Sequence, residues 1–323
     1  MGVPELIYPR EIILEVTNRC NLACRFCHFH GQEARRTRPL GSMARATWEK
    51  VLAEISGWSQ PCMLLTHGAG EPLLYPELED LLRRAVAIPH LSVGFMTNGM
   101  LLTPAVSRWL VDLPLDYLAL SIDGVKPATN DYFRRHADLR LIEENVRHLI
   151  EIKAAAASAK PVLSFNMVGY EEILDQEREY VARWLPHADQ VSVATFRPVG
   201  SRRLWAPAQA PSFTPCRLLY QQLVVAWNGD VGLCCEDINL EVPLGNVVED
   251  GLLAVFNHSE TLRRYRRAHE EGKLAGLRLC ADCHVWGGGV VCQEQELEIG
   301  GLRVHEISSP AGRTYRRAGC HLV

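Results

Sequence analysis

Cys20, Cys24 and Cys27 follow one another at x3 and x2 spacing within Thr17 to His28, directly after the apolar run Ile12 to Val16. Three thiolates this close in one loop can converge on a soft metal centre, and cysteine sulfur suits iron-sulfur clusters and zinc alike. A cubane held by three cysteines keeps one iron open, and an open metal position is where a substrate or cofactor binds. The alternative on spacing alone is a zinc knuckle that takes His28 or His30 as its fourth ligand. A second set, Cys216, Cys234, Cys280 and Cys283, offers four thiols and so a closed centre, which by ligand count is a structural zinc ribbon. The chain has 11 cysteines, an odd number grouped as CxxxCxxC and CxxC, which reads as metal ligation and not as a disulfide framework.

The elements that must position these residues alternate. Strand-like runs at Ile12–Val16, Met63–Thr66, Ser92–Thr97, Leu118–Ile122, Val162–Val168 and Val191–Phe196 are separated by helical spacing at 42–58, 76–87, 103–113, 139–159 and 175–185. Thr103 is the N-cap of its helix, with Pro104 at the first helical position. Six strands with helical crossovers predict an α/β fold, an open and partial (β/α)6 barrel. Working residues in such folds lie at the carboxyl ends of the strands. The cysteine loop, Gly68-Ala69-Gly70-Glu71-Pro72, Thr97-Asn98-Gly99 and Ser121-Ile122-Asp123-Gly124 all fall there.

Around Gly200 a proline-bearing linker interrupts the periodicity. Leu223–Trp227, Asn228-Gly229 and Val231–Leu233 then predict a tight hairpin with positive φ angles at the turn. A single helix is expected over 251–271, and a second hairpin over Leu297–Ile307 turning at Gly300-Gly301. The division expected is 1–200 for the barrel, 201–292 for a smaller hairpin-plus-helix domain and 293–323 for a C-terminal extension.

Hydrophobic residues make up 47% of the 323 and charged residues 22%, an ordinary globular balance. The net charge of -4 gives no electrostatic case for nucleic acid. The run Arg263, Arg264, Arg266, Arg267 reads as the solvated side of a helix. No apolar stretch is long enough to span a membrane and the N-terminus lacks signal-peptide order, so a cytoplasmic protein is expected.

Cys20-x3-Cys24-x2-Cys27 resembles the signature of the radical S-adenosylmethionine (SAM) superfamily, and Gly70-Glu71-Pro72 resembles that family's motif at the methionine amino group. The resemblance covers roughly residues 11 to 200. It implies Cys20, Cys24 and Cys27 as ligands of a [4Fe-4S] cluster whose open iron chelates SAM, which on one-electron reduction yields a 5'-deoxyadenosyl radical. Gly70 and Glu71 would face the methionine; Asn98, Ser121 and Asp123 would lie near the ribose. Ala69 departs from the glycine many members carry, a change that a backbone contact tolerates. Cys216, Gly229-x4-Cys234 and Cys280-x2-Cys283 resemble the twitch form of the SPASM/twitch auxiliary domain, which implies a second [4Fe-4S] cluster. Cys292 and Cys320 stand at unfamiliar spacing for a third. The span from Cys234 to Cys283 resembles the 2-deoxy-scyllo-inosamine dehydrogenases of butirosin biosynthesis, and Arg197 would correspond to their arginine base.

The resemblance therefore implies hydrogen abstraction from a carbinol carbon of a small polyol, a sugar, aminocyclitol or nucleoside sugar, with oxidation, dehydration or epimerisation as outcome. An external one-electron donor such as flavodoxin or ferredoxin is implied with it. Glu236 is a candidate to hold or deprotonate the substrate hydroxyl. Cys235 is a candidate hydrogen donor, set against a reading as a buried core cysteine. His28, His30 and His67 could move protons near neutral pH, set against plain hydrogen bonding. Cys62 is expected in the core. The second enzyme reading is a peptide-modifying maturase; Cys20 comes so early that no fused leader-binding domain is expected before the core. The non-enzymatic reading, an iron-sulfur or zinc protein, leaves the glycine-rich rim unexplained.

Overall fold

The computed structural model describes residues 7–32, 34–196, 215–281, 283, 292–309 and 312–318. The chain divides into two compact units, one of residues 1–20, 35–93 and 202–289, the other of residues 21–34, 94–201 and 290–323. Arg197, Cys320, the linker after Gly200 and Gly287 to Gly289 lie outside the described residues.

β1 (Glu11–Leu14), α1 (Arg45–Ser56), β2 (Cys62–Leu65), α2 (Leu78–Ala85), β3 (Leu91–Thr97), α3 (Pro104–Asp112), β4 (Tyr117–Ser121), α4 (Pro127–Phe133), α5 (Leu139–Ala155), β5 (Val162–Gly169), α6 (Glu177–Trp184) and β6 (Gln190–Thr195) follow in order. The chain is α/β, with the element order of a partial (β/α)6 barrel. α1 buries Trp48, Val51, Leu52 and Ile55 along one stripe, the spacing that defined it in the sequence. Thr103 accepts the Val106 N–H and caps α3 as expected. The short helix α4, with Pro127 in its first turn, was not anticipated.

In the first unit β1 lies parallel to β2 and, on its other side, to β7 (Gln222–Val225), which follows the single turn α7 (Leu218–Gln221). β7 pairs antiparallel with β8 (Asp230–Gly232), and β8 with β9 (Gly245–Asn246). The hairpin is present, but only Gly229 takes positive φ, at +87°, so a longer loop replaces the two-residue turn. Asn246 reinforces it, donating to Asn228 O at 3.3 Å and Asp230 Oδ1 at 2.9 Å. The single helix expected over 251–271 is two, α8 (Leu252–His258) and α9 (Glu260–Glu270). Ser259, non-helical at ψ 118°, breaks the run and caps α9 by accepting the Leu262 N–H. The first turn of α8 is capped from α1, where both Glu54 oxygens accept the Leu252 and Leu253 N–H groups at 2.7 and 2.8 Å.

In the second unit β3, β4, β5 and β6 run parallel, burying Phe95, Leu118, Leu120, Phe165 and Val191. β10 (Gln293–Ile299) and β11 (Leu302–Ser309) form the expected hairpin at Gly300-Gly301, both glycines at positive φ. β12 (Gly312–Arg317), which the sequence reading missed, returns antiparallel to β11 and pairs with β6. Its Arg313 and Tyr315 both bond Glu177, which is 7% exposed.

Gly312 sits at φ +140° with Val193 O 2.1 Å from where a Cβ would stand. Gly312→Ala should cost about 1–3 kcal/mol in denaturant unfolding. The loss should come with faster amide exchange across β12, and unchanged exchange there would show that this pairing does not depend on the glycine.

Candidate functional site

Glu15, one residue beyond β1, is 4% exposed and takes both Arg38 Nη groups, at 2.8 and 2.9 Å. Its Oε2 also accepts the Ala69 N–H at 3.0 Å. Gly70 then lies so close to the backbone before Cys20 that an added Cβ would stand 2.5 Å from both Thr17 O and Arg19 O. Only glycine fits there. The Glu71 N–H donates to Arg19 O at 2.8 Å, and Glu71 Oε1 accepts the Leu73 N–H at 3.1 Å. The Gly-Glu-Pro loop is thereby bonded to the residue preceding the first cysteine.

The boundary between the two units falls after Cys20, and Cys24 and Cys27 belong to the second. Cys27 Sγ accepts backbone N–H groups from His30 at 3.2 Å and Phe29 at 3.4 Å. Gly31 allows that turn, since a Cβ would meet Cys27 O at 2.5 Å. His28 is exposed, and the His30 ring packs edge-on against Phe29 at 5.1 Å. Burial pushes the Cys24 thiol up to about 11, and the Arg134 guanidinium pulls against that rise. Arg134, 6% exposed, pairs with the fully buried Asp123 at 2.8 Å, and Asp123 Oδ1 accepts the Val168 N–H at 2.7 Å. Asp123 therefore serves the interior of its own unit. Around this pair Tyr170 stacks on Phe133 at 4.1 Å and meets Phe26 and Phe196 at 5.3 and 4.5 Å.

Asn98, 6% exposed, donates to Asn21 Oδ1 at 2.8 Å and accepts the Met100 N–H. Ser121 is half-buried at the end of β4, in register with Asn166 of β5. His67 opens the glycine loop, and its Nδ1 is enclosed without a hydrogen-bond partner among the described residues. Cys62 is buried as expected.

Of the second cysteine set, Cys234 and Cys280 are near enough to act on each other electrostatically, and burial raises the Cys234 thiol. The Cys216 N–H donates to His269 Nδ1 of α9 at 3.3 Å. Asp237, 2% exposed, folds the turn after Cys234 by accepting the N–H groups of Leu233, Glu241 and Val242. That turn leaves Cys235 exposed, not buried in the core as one reading expected, and Glu236 exposed beside it. The arginine run is also corrected. Arg266 is 8% exposed and donates to Leu219 O and Phe256 O, because the inward face of α9 includes it.

No disulfide joins any two of the ten described cysteines. Among the described residues no three Cys, His, Asp or Glu side chains gather as a single metal ion needs. A cubane instead spreads its cysteines over separate irons. The donor chemistry fits iron-sulfur centres: thiols without disulfide partners, N–H groups aimed at Cys27 Sγ, and a glycine cradle at Gly70.

Residues 14–185 match the model of the radical SAM superfamily. The chain belongs to the radical SAM superfamily. Residues 216–284 match the SPASM model, an iron-sulfur cluster-binding domain, so its cofactors are SAM and [4Fe-4S] clusters in both regions. The chain is 28% identical over 179 residues to the tungsten-containing aldehyde ferredoxin oxidoreductase cofactor-modifying protein of Pyrococcus furiosus, across 54% of this chain and 48% of that protein. It is 24% identical over 279 residues to mycofactocin maturase MftC of Mycobacterium tuberculosis, across 86% of this chain and 60% of MftC. It thus spans about half to three-fifths of the length of these two relatives. The solved structure of BtrN in complex with AdoMet and 2-DOIA matches with TM-score 0.58 at 19% identity, over 85% of this chain and 93% of BtrN, which shows the shared fold.

Two outcomes follow. Replacing Cys216 and Cys234 by alanine should lower the iron of the reconstituted protein from about eight to about four per chain. SAM cleavage should survive that change, and loss of all iron would mean the two centres are not independent. Burial also pushes His67 down from 6.5 to about 4. The folded state therefore binds fewer protons than the unfolded one, so stability is full above pH 6.5 and falls as pH drops toward 4. His67→Gln should flatten that part of a denaturation-midpoint profile, and an unaltered slope would place the loss elsewhere.

Proposed function

We propose that this radical SAM enzyme removes hydrogen from a carbinol carbon of a sugar, aminocyclitol or nucleoside sugar, most simply giving a ketone in natural-product biosynthesis. The observation that carries the reading is the turn after Cys234, where buried Asp237 fixes the backbone and leaves Cys235 and Glu236 exposed. A carboxylate at that position can accept hydrogen bonds from substrate hydroxyls and take the proton that a carbinol loses on oxidation. The exposed thiol of Cys235 can return a hydrogen atom in an epimerisation, and loss of a neighbouring hydroxyl gives the dehydration variant. Arg197 remains the other base candidate. BtrN, seen with AdoMet and 2-DOIA, supports a small-molecule ligand, since the match runs over 93% of that chain.

When bound, SAM and the two clusters supply the hydrogen abstraction and the one-electron sink that oxidation requires. In this reading Cys20, Cys24 and Cys27 hold the first cluster, and Cys216, Cys234, Cys280 and Cys283 hold the auxiliary one. Gly70 and Glu71 face the methionine of SAM, with Asn98, Ser121 and Asp123 on the ribose side. Asp123 acts through Arg134, given its burial. The domains are 1–200, 201–292 and 293–323, and flavodoxin or ferredoxin is the electron donor. The likeness to MftC over 86% of this chain favours a second reading, a peptide-modifying maturase.

Polyols deuterated at carbinol carbons, incubated anaerobically with the reduced holoenzyme, should pass label into 5'-deoxyadenosine. Glu236→Gln should slow that turnover by about 10²–10⁴-fold while leaving both clusters in place. No transfer from any polyol, with transfer from a peptide, would establish the maturase instead.

A further inference from the structure

Two backbone hydrogen bonds join the cysteine loop to the segment after α4. The Ala23 N–H donates to Arg135 O at 3.1 Å and the Arg25 N–H to Phe133 O at 2.8 Å. They flank Cys24 on one segment and Arg134 on the other, so the backbones of these two residues stand across from each other. Arg134 is 6% exposed, and its guanidinium lies 5.4 Å from the Phe26 ring centroid, two residues beyond Cys24. Asp123 anchors the Nε side at 2.8 Å and is itself fixed by the Val168 N–H. Asp123 thus holds the guanidinium from one side while Phe26 of the cysteine loop lies against it from another, which keeps the positive charge beside that loop.

We infer that Arg134 is a positioning residue that sets the reduction potential of the cluster bound by the first cysteine loop, with Asp123 holding its guanidinium in place and moderating its charge. The inference rests on Cys24 as a cluster ligand and is independent of the substrate. A [4Fe-4S] cluster with thiolate ligands becomes more negative by one charge when it takes up an electron. A buried cation beside one of those thiolates stabilises the reduced form more than the oxidised form, because low local polarity leaves the interaction weakly screened. The potential should therefore rise with the Arg134 charge and fall with that of Asp123.

The test is a dithionite titration of the anaerobically reconstituted full chain, followed by EPR. The first cluster is identified as the reduced signal that changes on adding SAM. Asp123→Asn keeps the cation and removes its counter-charge. At a fixed potential its reduced-to-oxidised ratio should rise by about tenfold, equivalent to 59 mV for a one-electron couple. Arg134→Lys keeps the charge and should stay within about threefold of the parent. The double change Asp123→Asn with Arg134→Met removes both charges and leaves no buried ion unpaired, and its ratio should fall below that of Asp123→Asn by about tenfold or more. Iron content and the SAM-responsive signal check that each variant carries the cluster. An Asp123→Asn protein that holds its iron and titrates with the parent, or a double variant that titrates with Asp123→Asn, would overturn the inference. So would an Asp123→Asn shift in the opposite direction. Failure to oxidise any polyol touches none of these readings, since no substrate is present.

Discussion

The ion pair between Glu15 and Arg38 is the constraint on which the first unit depends. Glu15 follows a strand whose Ile12 and Leu14 are fully buried, so the backbone carries its carboxylate into the interior. Arg38 meets it with both Nη groups and turns its Nε to Ile238 O at 2.9 Å. The remaining capacity of Glu15 goes to the Ala69 N–H. One bidentate pair thus joins a strand end, the segment after the cysteine loop, the glycine loop and the segment after Cys234. Both charges are largely shielded from water, with side-chain exposures of 10% and 5%, and losing one partner of a buried pair costs about 3–5 kcal/mol. Gly68 shows how closely this is packed, since a Cβ there would stand 2.6 Å from Glu15 Cβ.

The second unit repeats the device with other residues. Asp123 also ends a strand, is also buried, and also divides its oxygens between an arginine and a backbone N–H. In each unit a carboxylate just beyond the carboxyl end of a strand ties that end to an arginine of another segment and to a backbone N–H. Backbone N–H groups in such loops need partners, and a fixed carboxylate satisfies several at once. Within each unit this device suits the strand-end loops, because loops carrying glycine have little side-chain surface of their own to bury.

The parts of this arrangement that rest on local rules were legible in the sequence. Cysteine spacing, the Thr103 cap, the hairpin signal at Asn228-Gly229 and the paired glycines at Gly300-Gly301 each act over a few residues. The charged residues that organise the site were not legible. Glu15, Arg38, Arg134 and Arg266 have the composition of a solvated surface, and their placement is decided by partners 10 to 200 positions away. Arg266 shows the point, since its neighbours Arg263, Arg264 and Arg267 are exposed as the run suggested. β12 was missed for the same reason: Gly-Arg-Thr-Tyr-Arg-Arg alternates weakly, and Arg313 and Tyr315 find their partner in Glu177, 136 and 138 residues away. The Ser259 break escaped notice because neither glycine nor proline marks it.

α9 explains how the second cysteine set can be placed by a segment with so little regular structure. Its inward face carries Leu262, Tyr265, Arg266 and His269, the three- and four-residue spacing of one helical stripe. Tyr265 Oη donates to Arg278 O at 3.1 Å, two residues before Cys280. His269 Nδ1 accepts the Cys216 N–H, which fixes that ring nitrogen as the unprotonated one. Arg266 bonds the carbonyls of Leu219 and Phe256, closing the ends of α7 and α8, and lies over the Phe256 ring at 4.5 Å. Three successive inward side chains therefore locate the backbone on both sides of the cysteine set. A buried cation costs less here than it would alone, because carbonyl oxygens and a ring face supply negative potential without a carboxylate. The helix orders the loops, and the loops then need only a short turn, fixed by Asp237, to present Cys234.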